Sequence, residues 1–183
     1  MTPQEFEQKL QQKANEIKNY ANTRYPTVAA NIALRFVNGN FRAQGFQGQS
    51  FEKWKKSKGT TLVKSGNLRA AMYYTTQPGQ TTIKNNMPYA KAHNEGFEGT
   101  VTVKSHTRNK YSRTKVGTGR FTARGVERTQ TLTSKSGESN VKSHSRKMKL
   151  PKRQFMPTHQ NDSPVLNNAI AREVARDINK IML

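Results

Sequence analysis

Apolar residues recur at Phe6, Leu10, Ala14, Ile17, Ala21, Val28, Ile32 and Phe36. Steps of three, four or seven keep these side chains on one helical stripe. Thr2, Pro3 and Glu5 supply a start signal: a cap, a first-turn proline and a capping-box acid. Asn38-Gly39 supplies a stop. Pro26 interrupts the pattern, so a kink or two abutting helices are expected near Tyr25. Uninterrupted, the segment would run about 50 Å at 1.5 Å per residue. A helix that long in a small domain is expected to lie across a sheet or to reach into a neighbouring subunit.

Residues 40–67 read as a polar loop, anchored by Phe41, Phe46, Phe51 and Trp54. Isolated aromatics in such a loop pin it to a core or mark an interface. Leu62-Val63, Ser65, Gly66, Leu68 and Arg69 suggest a turn into a short ordered element. MYYTTQ and TTIKN, separated by Pro78-Gly79, read as a β-hairpin with one wet face. PYAKAHNEG (88–96) has Pro88 at a helix start and Gly96 at a left-handed stop. Within it Tyr89, Ala90 and Ala92 are expected to face a core, and Lys91, Asn94 and Glu95 to face water. MKLPKRQFMP (148–157) returns to the core as an edge strand or extended segment between two prolines. A closing helix begins at Asp162 or Ser163, with Pro164 in its first turn. Its stripe is Val165, Leu166, Ala169, Ile170, Val174, Ile178 and Ile181. Arg172, Arg176 and Lys180 form a ridge, read as a solvated face aided by Glu173 and Asp177.

Charge divides the chain. It carries 32 basic and 11 acidic residues, a net +21, with only 32% hydrophobic residues in 183. The core must be modest, and a polyanionic neighbour is expected. Residues 97–147 hold 12 of the basic residues and 3 of the acidic ones, with few large apolar residues. This stretch cannot bury enough surface to offset its ordering entropy alone, so it reads as an extended arm or long hairpin ordered by partners. Thr100 to Lys104 alternates like a strand, and Gly119 to Val126 contains a turn. Residues 1–96 and 148–183 then form one core domain. The expected fold class is α+β: a long N-terminal helix, a small, mainly antiparallel β-sheet and a C-terminal helix, with an extended basic arm inserted.

Catalysis finds no constellation. There is no cysteine, which removes disulfides, thiolate zinc sites and cysteine nucleophiles. The four histidines, His93, His106, His144 and His159, lack ligand spacing, and Glu95 is the one acid near His93. The glycines of KVGTGRF are followed by no P-loop Lys-Ser/Thr pair. The chain is read as no enzyme, with no cofactor and no metal. No apolar run approaches the roughly 20 residues of a membrane span, and MTPQEFEQ lacks the regions of a signal peptide.

Four blocks in order resemble a known family, the virion morphogenesis or tail-completion proteins at the neck of tailed bacteriophages. They are FEKW around Phe51 and Trp54, LVKSGNLR (62–69), PYAKAHNEG (88–96) and LPKRQFMP (150–157). The family's short connection between the third and fourth blocks is here replaced by the basic arm. Lys152 and Gln154 flank Arg153 where members often show small or proline residues. The resemblance implies a ring of identical subunits between a head-side connector or stopper and a tail terminator or tail tube. Double-stranded DNA would pass through the lumen. The subunit would belong to the virion neck and tail, and to the host cytoplasm during assembly.

Structural or interface roles then fall on Phe51, Trp54, Ser65, Gly66, Arg69, Tyr89, His93, Gly96, Arg153 and Phe155. Lys104, Arg108, Lys110, Arg113, Lys115, Arg120, Arg124 and Arg128 would face DNA or clamp a partner. The competing reading is a basic nucleic-acid-binding protein that grips phosphates through the arm and the Arg172 ridge. A ribosome-associated RNA binder is a third.

Overall fold

The computed structural model describes residues 2–56 and 61–183. Part of the expected loop of 40–67 falls on 57–60, outside the described residues. The fold is α+β, with a long N-terminal helix, small antiparallel sheets and a C-terminal helix. The chain divides into two compact units, Met1–Phe97 with Lys149–Leu183, and Glu98–Met148.

In the first unit, the N-terminal helix is continuous but not uniform. α1 spans Pro3–Asn19, a π-helical turn spans Tyr20–Arg24, and α2 spans Tyr25–Ala43. The Thr2 hydroxyl accepts from the Glu5 N–H at 3.2 Å and the Thr2 N–H donates to the Glu5 carboxylate at 2.8 Å, a capping box. The π turn sits where Pro26 demands it. Proline has no N–H and its ring clashes with the carbonyl four residues back, so the helix widens and the Tyr25 N–H reaches back to the Tyr20 carbonyl. The proline is absorbed this way rather than by a break between two helices.

The Asn38-Gly39 stop expected from sequence is passed through. Helix continues to Ala43, and Gln44 takes the left-handed cap at φ 55° with its N–H on the Asn40 carbonyl. Running on places Asn40 and Phe41, 3% and 1% exposed, inside the fold, and burying a phenylalanine outweighs the ~1 kcal/mol that glycine costs a helix. Phe41 is therefore a helix residue, not a loop anchor. The buried face of α2 is Pro26, Ala29, Ala30, Ala33, Val37, Asn40 and Phe41, offset from the stripe of Val28, Ile32 and Phe36. Its small residues let α2 come close to β3, β4 and α5. By contrast, α1 buries nothing, and Phe6 and Leu10 stand exposed.

Two short hairpins follow. β1 (Gly45–Gln47) pairs with β2 (Phe51–Lys53), and β3 (Met72–Gln77) pairs with β4 (Gln80–Asn85) through the Pro78-Gly79 turn, with Gly79 at φ 71°. Between them lies α3 (Asn67–Ala70), and after them α4 (Ala90–Glu95). Val37, Phe41, Trp54, Leu68, Ala90 and Phe155 form the core, so α2, the β2 exit, α3, α4 and the returning segment all meet in one cluster. α5 spans Pro164–Met182. The Ser163 hydroxyl caps it, accepting from Leu166 N–H at 3.2 Å and donating to the Gln47 carbonyl at 2.6 Å.

α5 is fastened to the π turn. Asp177 is buried and accepts from the Tyr20 hydroxyl at 3.2 Å, with Arg24 Nε at 3.9 Å and Lys180 Nζ at 3.8 Å. The expectation that Asp177 supports a solvated face is corrected: it points inward, where the wider π turn presents Tyr20. Burial, then the Asp177 charge and hydrogen bond, push the Tyr20 phenol above its ordinary pKa.

The second unit is built from paired strands. β5 (Phe97–Val103) pairs with β8 (His144–Leu150), and β6 (His106–Phe121) pairs antiparallel with β7 (Glu127–Val141). β6 and β7 form a two-stranded ribbon about 50 Å long at ~3.3 Å per residue. Thr122 N–H to Val126 O at 2.8 Å closes its tip. Both strands are interrupted at the same place in the sequence Val-Lys-Ser-His, at 103–106 and again at 141–144. There His106 and His144 Nδ1 each lie 3.0 Å from the carbonyl of the lysine two residues before.

Candidate interaction surfaces

Four of the segments singled out in the sequence converge in a buried knot. The returning segment around Phe155 is irregular backbone, so its polar groups need partners from elsewhere. Asn94 supplies two, its Oδ1 accepting from the N–H groups of Phe155 and Met156, each at 2.9 Å. Arg153 N–H donates to the His93 carbonyl at 2.8 Å, and its Nε donates to the Lys55 carbonyl at 3.1 Å. Trp54 Nε1 donates to the Gln154 carbonyl at 2.6 Å. Asn40 Nδ2 donates to the Phe155 carbonyl at 3.1 Å. The Phe155 ring, 1% exposed, packs on Phe41 with centroids 5.2 Å apart, and Phe41 meets Trp54 edge-on at 5.6 Å.

Within the predicted site set, Trp54, His93, Arg153 and Phe155 thus come together. Gly96 joins them through its backbone: at φ 83°, a Cβ there would sit 3.2 Å from the Lys152 nitrogen. Arg69 is held apart from this knot, donating from Nε to Asn38 Oδ1 at 2.7 Å. Gly66 is the left-handed cap of α3 at φ 75°, and Ser65 is exposed beside it. Tyr89 is half-exposed, with its ring 5.8 Å from that of His93. Phe51 is not a core anchor. It is 46% exposed on β2, its ring filling the space a Cβ would need at Gly45.

Asn94 corrects the expectation that it faces water. On α4 it shares the inward side with Ala90, because four residues make one helical turn. Nothing in its sequence surroundings separates a buried asparagine from a solvated one. The same is true of Asn40, Gln154 and Asp177, which sequence reading missed as structural residues. His93 Nδ1 is buried with no hydrogen-bond partner among the described residues. Burial, then the charge of Arg153, holds the His93 pKa below its ordinary value. Among the described residues, no group of three or more His, Cys, Asp or Glu could hold a metal ion, and no helix is long and apolar enough to cross a membrane.

The second surface is the ribbon. Every residue of β6 is exposed, which includes Arg108, Lys110, Arg113, Lys115 and Arg120; Arg124 and Arg128, at the tip and on β7, are exposed as well. Lys104 precedes β6 at the interruption. Its few acids are occupied: Glu138 pairs with Lys135, and Glu127 Oε1 accepts from the Gly119 N–H at 3.0 Å. The Glu127 carboxylate lies where a Cβ on Gly117 would go. The ribbon's arginines have no ion-pair partner among the described residues, which leaves a cationic surface.

No known family, curated protein or solved structure matches the chain. Its function must be argued from these two surfaces.

Proposed function

We propose that the chain is a non-catalytic structural subunit of the tailed-phage neck. In this reading it assembles as a ring between the head-side connector and the tail, around the path of double-stranded DNA. One observation carries the proposal: the four blocks of the resemblance join in space. Trp54, Leu68 of LVKSGNLR, Ala90 of PYAKAHNEG and Phe155 of LPKRQFMP share one apolar core, and the first, third and fourth blocks also share one hydrogen-bond knot. Residues far apart in sequence thus serve one fold. A ring suits the exposed apolar side chains of α1 and the ribbon, which a subunit interface would cover. A lumen lined by the ribbon's cations would face phosphates without reading bases.

The experiment is cross-linking of intact virions followed by mass spectrometry. Links from Lys104, Lys110 or Lys135 to connector, terminator or tube proteins support the neck reading. Absence of the chain from particles, together with links to free nucleic acid, overturns it.

The unpaired cations of β6 favour a second reading, a nucleic-acid-binding protein acting through phosphate contacts. It demands binding that weakens steeply with salt, with a log–log slope of about −0.9 per phosphate neutralised on duplex DNA. A salt-independent association with connector proteins would exclude it.

A further inference from the structure

Near its tip the ribbon departs from a regular hairpin. Between the pairs Gly117↔Thr129 and Phe121↔Glu127, three residues of β6, Thr118 to Arg120, stand opposite Arg128 alone, and Gly119 takes φ 67°. Extra residues in one strand bend it and re-aim its side chains. Beside the bend lies a hollow of about 540 Å³ that Arg120 and Arg128 line together. Ligand sites commonly run to roughly 300–1,000 Å³.

Two guanidinium groups on one hollow repel each other unless an anion lies between them. The lining supplies none: beside the arginines it is hydroxyl, amide and aliphatic, with no carboxylate. Neither arginine has an ion-pair partner among the described residues. Glu127, the acid closest to Arg128 in sequence, is drawn to the other side of the ribbon. Its carboxylate accepts from the Gly119 N–H at 3.0 Å and covers the position of a Cβ on Gly117. Strand alternation puts that position on the face opposite to Val116, Gln130 and Leu132, the face that borders the hollow. Arg113 and Lys115 also belong to the opposite face.

The chemistry of the lining selects its anion. Planar guanidinium forks bind phosphate oxygens in bidentate fashion, and Gln130 adds an amide donor on the same face. Val116 and Leu132 give an aliphatic wall beside the two charges. A phosphate joined to a sugar presents the matching halves, charged oxygens and a carbon-lined ring.

We propose that this hollow holds one phosphodiester unit of a nucleic-acid strand, its phosphate between Arg120 and Arg128 and its sugar against Val116 and Leu132. The proposal rests on the reading of the ribbon as the part of the subunit that faces DNA, and it names where on the ribbon the backbone is gripped. Such a contact fixes the strand without reading its bases. Arg113 and Lys115, on the other face, act on the strand only through their long-range field.

The test titrates the full chain with a short, fluorescently labelled DNA duplex across a salt series. Wild type is compared with the double variant Arg120→Gln, Arg128→Gln and with the charge-matched double variant Arg113→Gln, Lys115→Gln. All four positions are exposed, and circular dichroism checks that each variant keeps the wild-type fold. The first pair should weaken binding about ten-fold at low salt and reduce the log–log salt slope by about 0.9, one phosphate contact. The second pair should cost several-fold less. Arg120→Lys with Arg128→Lys should keep the slope and lose part of the affinity, because an ammonium has no fork. Equal losses from the two glutamine pairs, or no duplex binding by wild type at the highest soluble concentration, would overturn the site. Calorimetric titration with deoxyadenosine monophosphate separates the other source of a phosphate ester. Uptake of that nucleotide, abolished by the first pair while duplex binding is unchanged, would assign the hollow to a small nucleotide and overturn the backbone contact. Virion cross-links decide the neck reading separately, so the site can fail while that reading stands.

Discussion

Replacing Asn94 by alanine should be among the most damaging single polar changes in the core. The side chain is 8% exposed, and its one oxygen serves the Phe155 and Met156 N–H groups at 2.9 Å each. Alanine leaves both donors without that acceptor. A buried donor left unsatisfied costs about 1–3 kcal/mol. Phe155 is fully buried and should bear the full penalty, while Met156 is only partly buried and can recover part of it from water. The expected loss is about 2–4 kcal/mol, a large share of the ~5–15 kcal/mol of a typical domain. Asn94→Asp keeps an oxygen in place for the Phe155 and Met156 N–H groups and should lose less than half as much. Urea unfolding followed by fluorescence is the assay, because Trp54 is the sole tryptophan and donates to the Gln154 carbonyl within the same knot. If Asn94→Ala unfolds within about 0.5 kcal/mol of wild type, as ordinary surface substitutions do, or if Asn94→Asp is equally damaged, the knot is not held as described.

Tyr20→Phe should cost about 1 kcal/mol by removing the hydroxyl that Asp177 accepts, measured by thermal or urea unfolding. For His93, burial and then Arg153 lower the folded pKa below 6.5, so on acidification the unfolded chain takes up the proton first. Stability from this group is complete above 6.5 and declines as pH falls from there towards the depressed folded value. Urea midpoints from about pH 7.5 to 5 should drop less for His93→Gln than for wild type. Excising 106–141 and joining Ser105 to Lys142 through an Asn-Gly turn should leave the unfolding midpoint of the first unit unchanged, since no core-cluster residue lies in the ribbon. The same excision should abolish recovery of the chain in assembled particles.

Much of the architecture was legible because its signals are local. The capping box at Thr2, the Pro78-Gly79 turn and the Ser163-Pro164 helix start rest on neighbours within a few residues. Periodicity likewise marked helix over 6–36. It failed where a distant partner decided the outcome. Gly39 stays helical because Asn40 and Phe41 have the returning Phe155 to bind and pack against. The basic arm, read as an extended arm or long hairpin ordered by partners, is a long hairpin whose two strands pair with each other within the chain.

The amino-acid sequence by itself determined the α+β class, the helices at either end, the central hairpin and an inserted stretch rich in basic and poor in large apolar residues. Composition, spacing and local turn chemistry specify all of these. Only the tertiary structure decided which polar residues work inside. Asn94, Asn40, Asp177 and Trp54 Nε1 find their partners across 157, 115, 100 or 61 positions of chain. An amide or carboxylate carries no mark of burial until the fold brings its partner within hydrogen-bonding reach, because the same group is equally well satisfied by water.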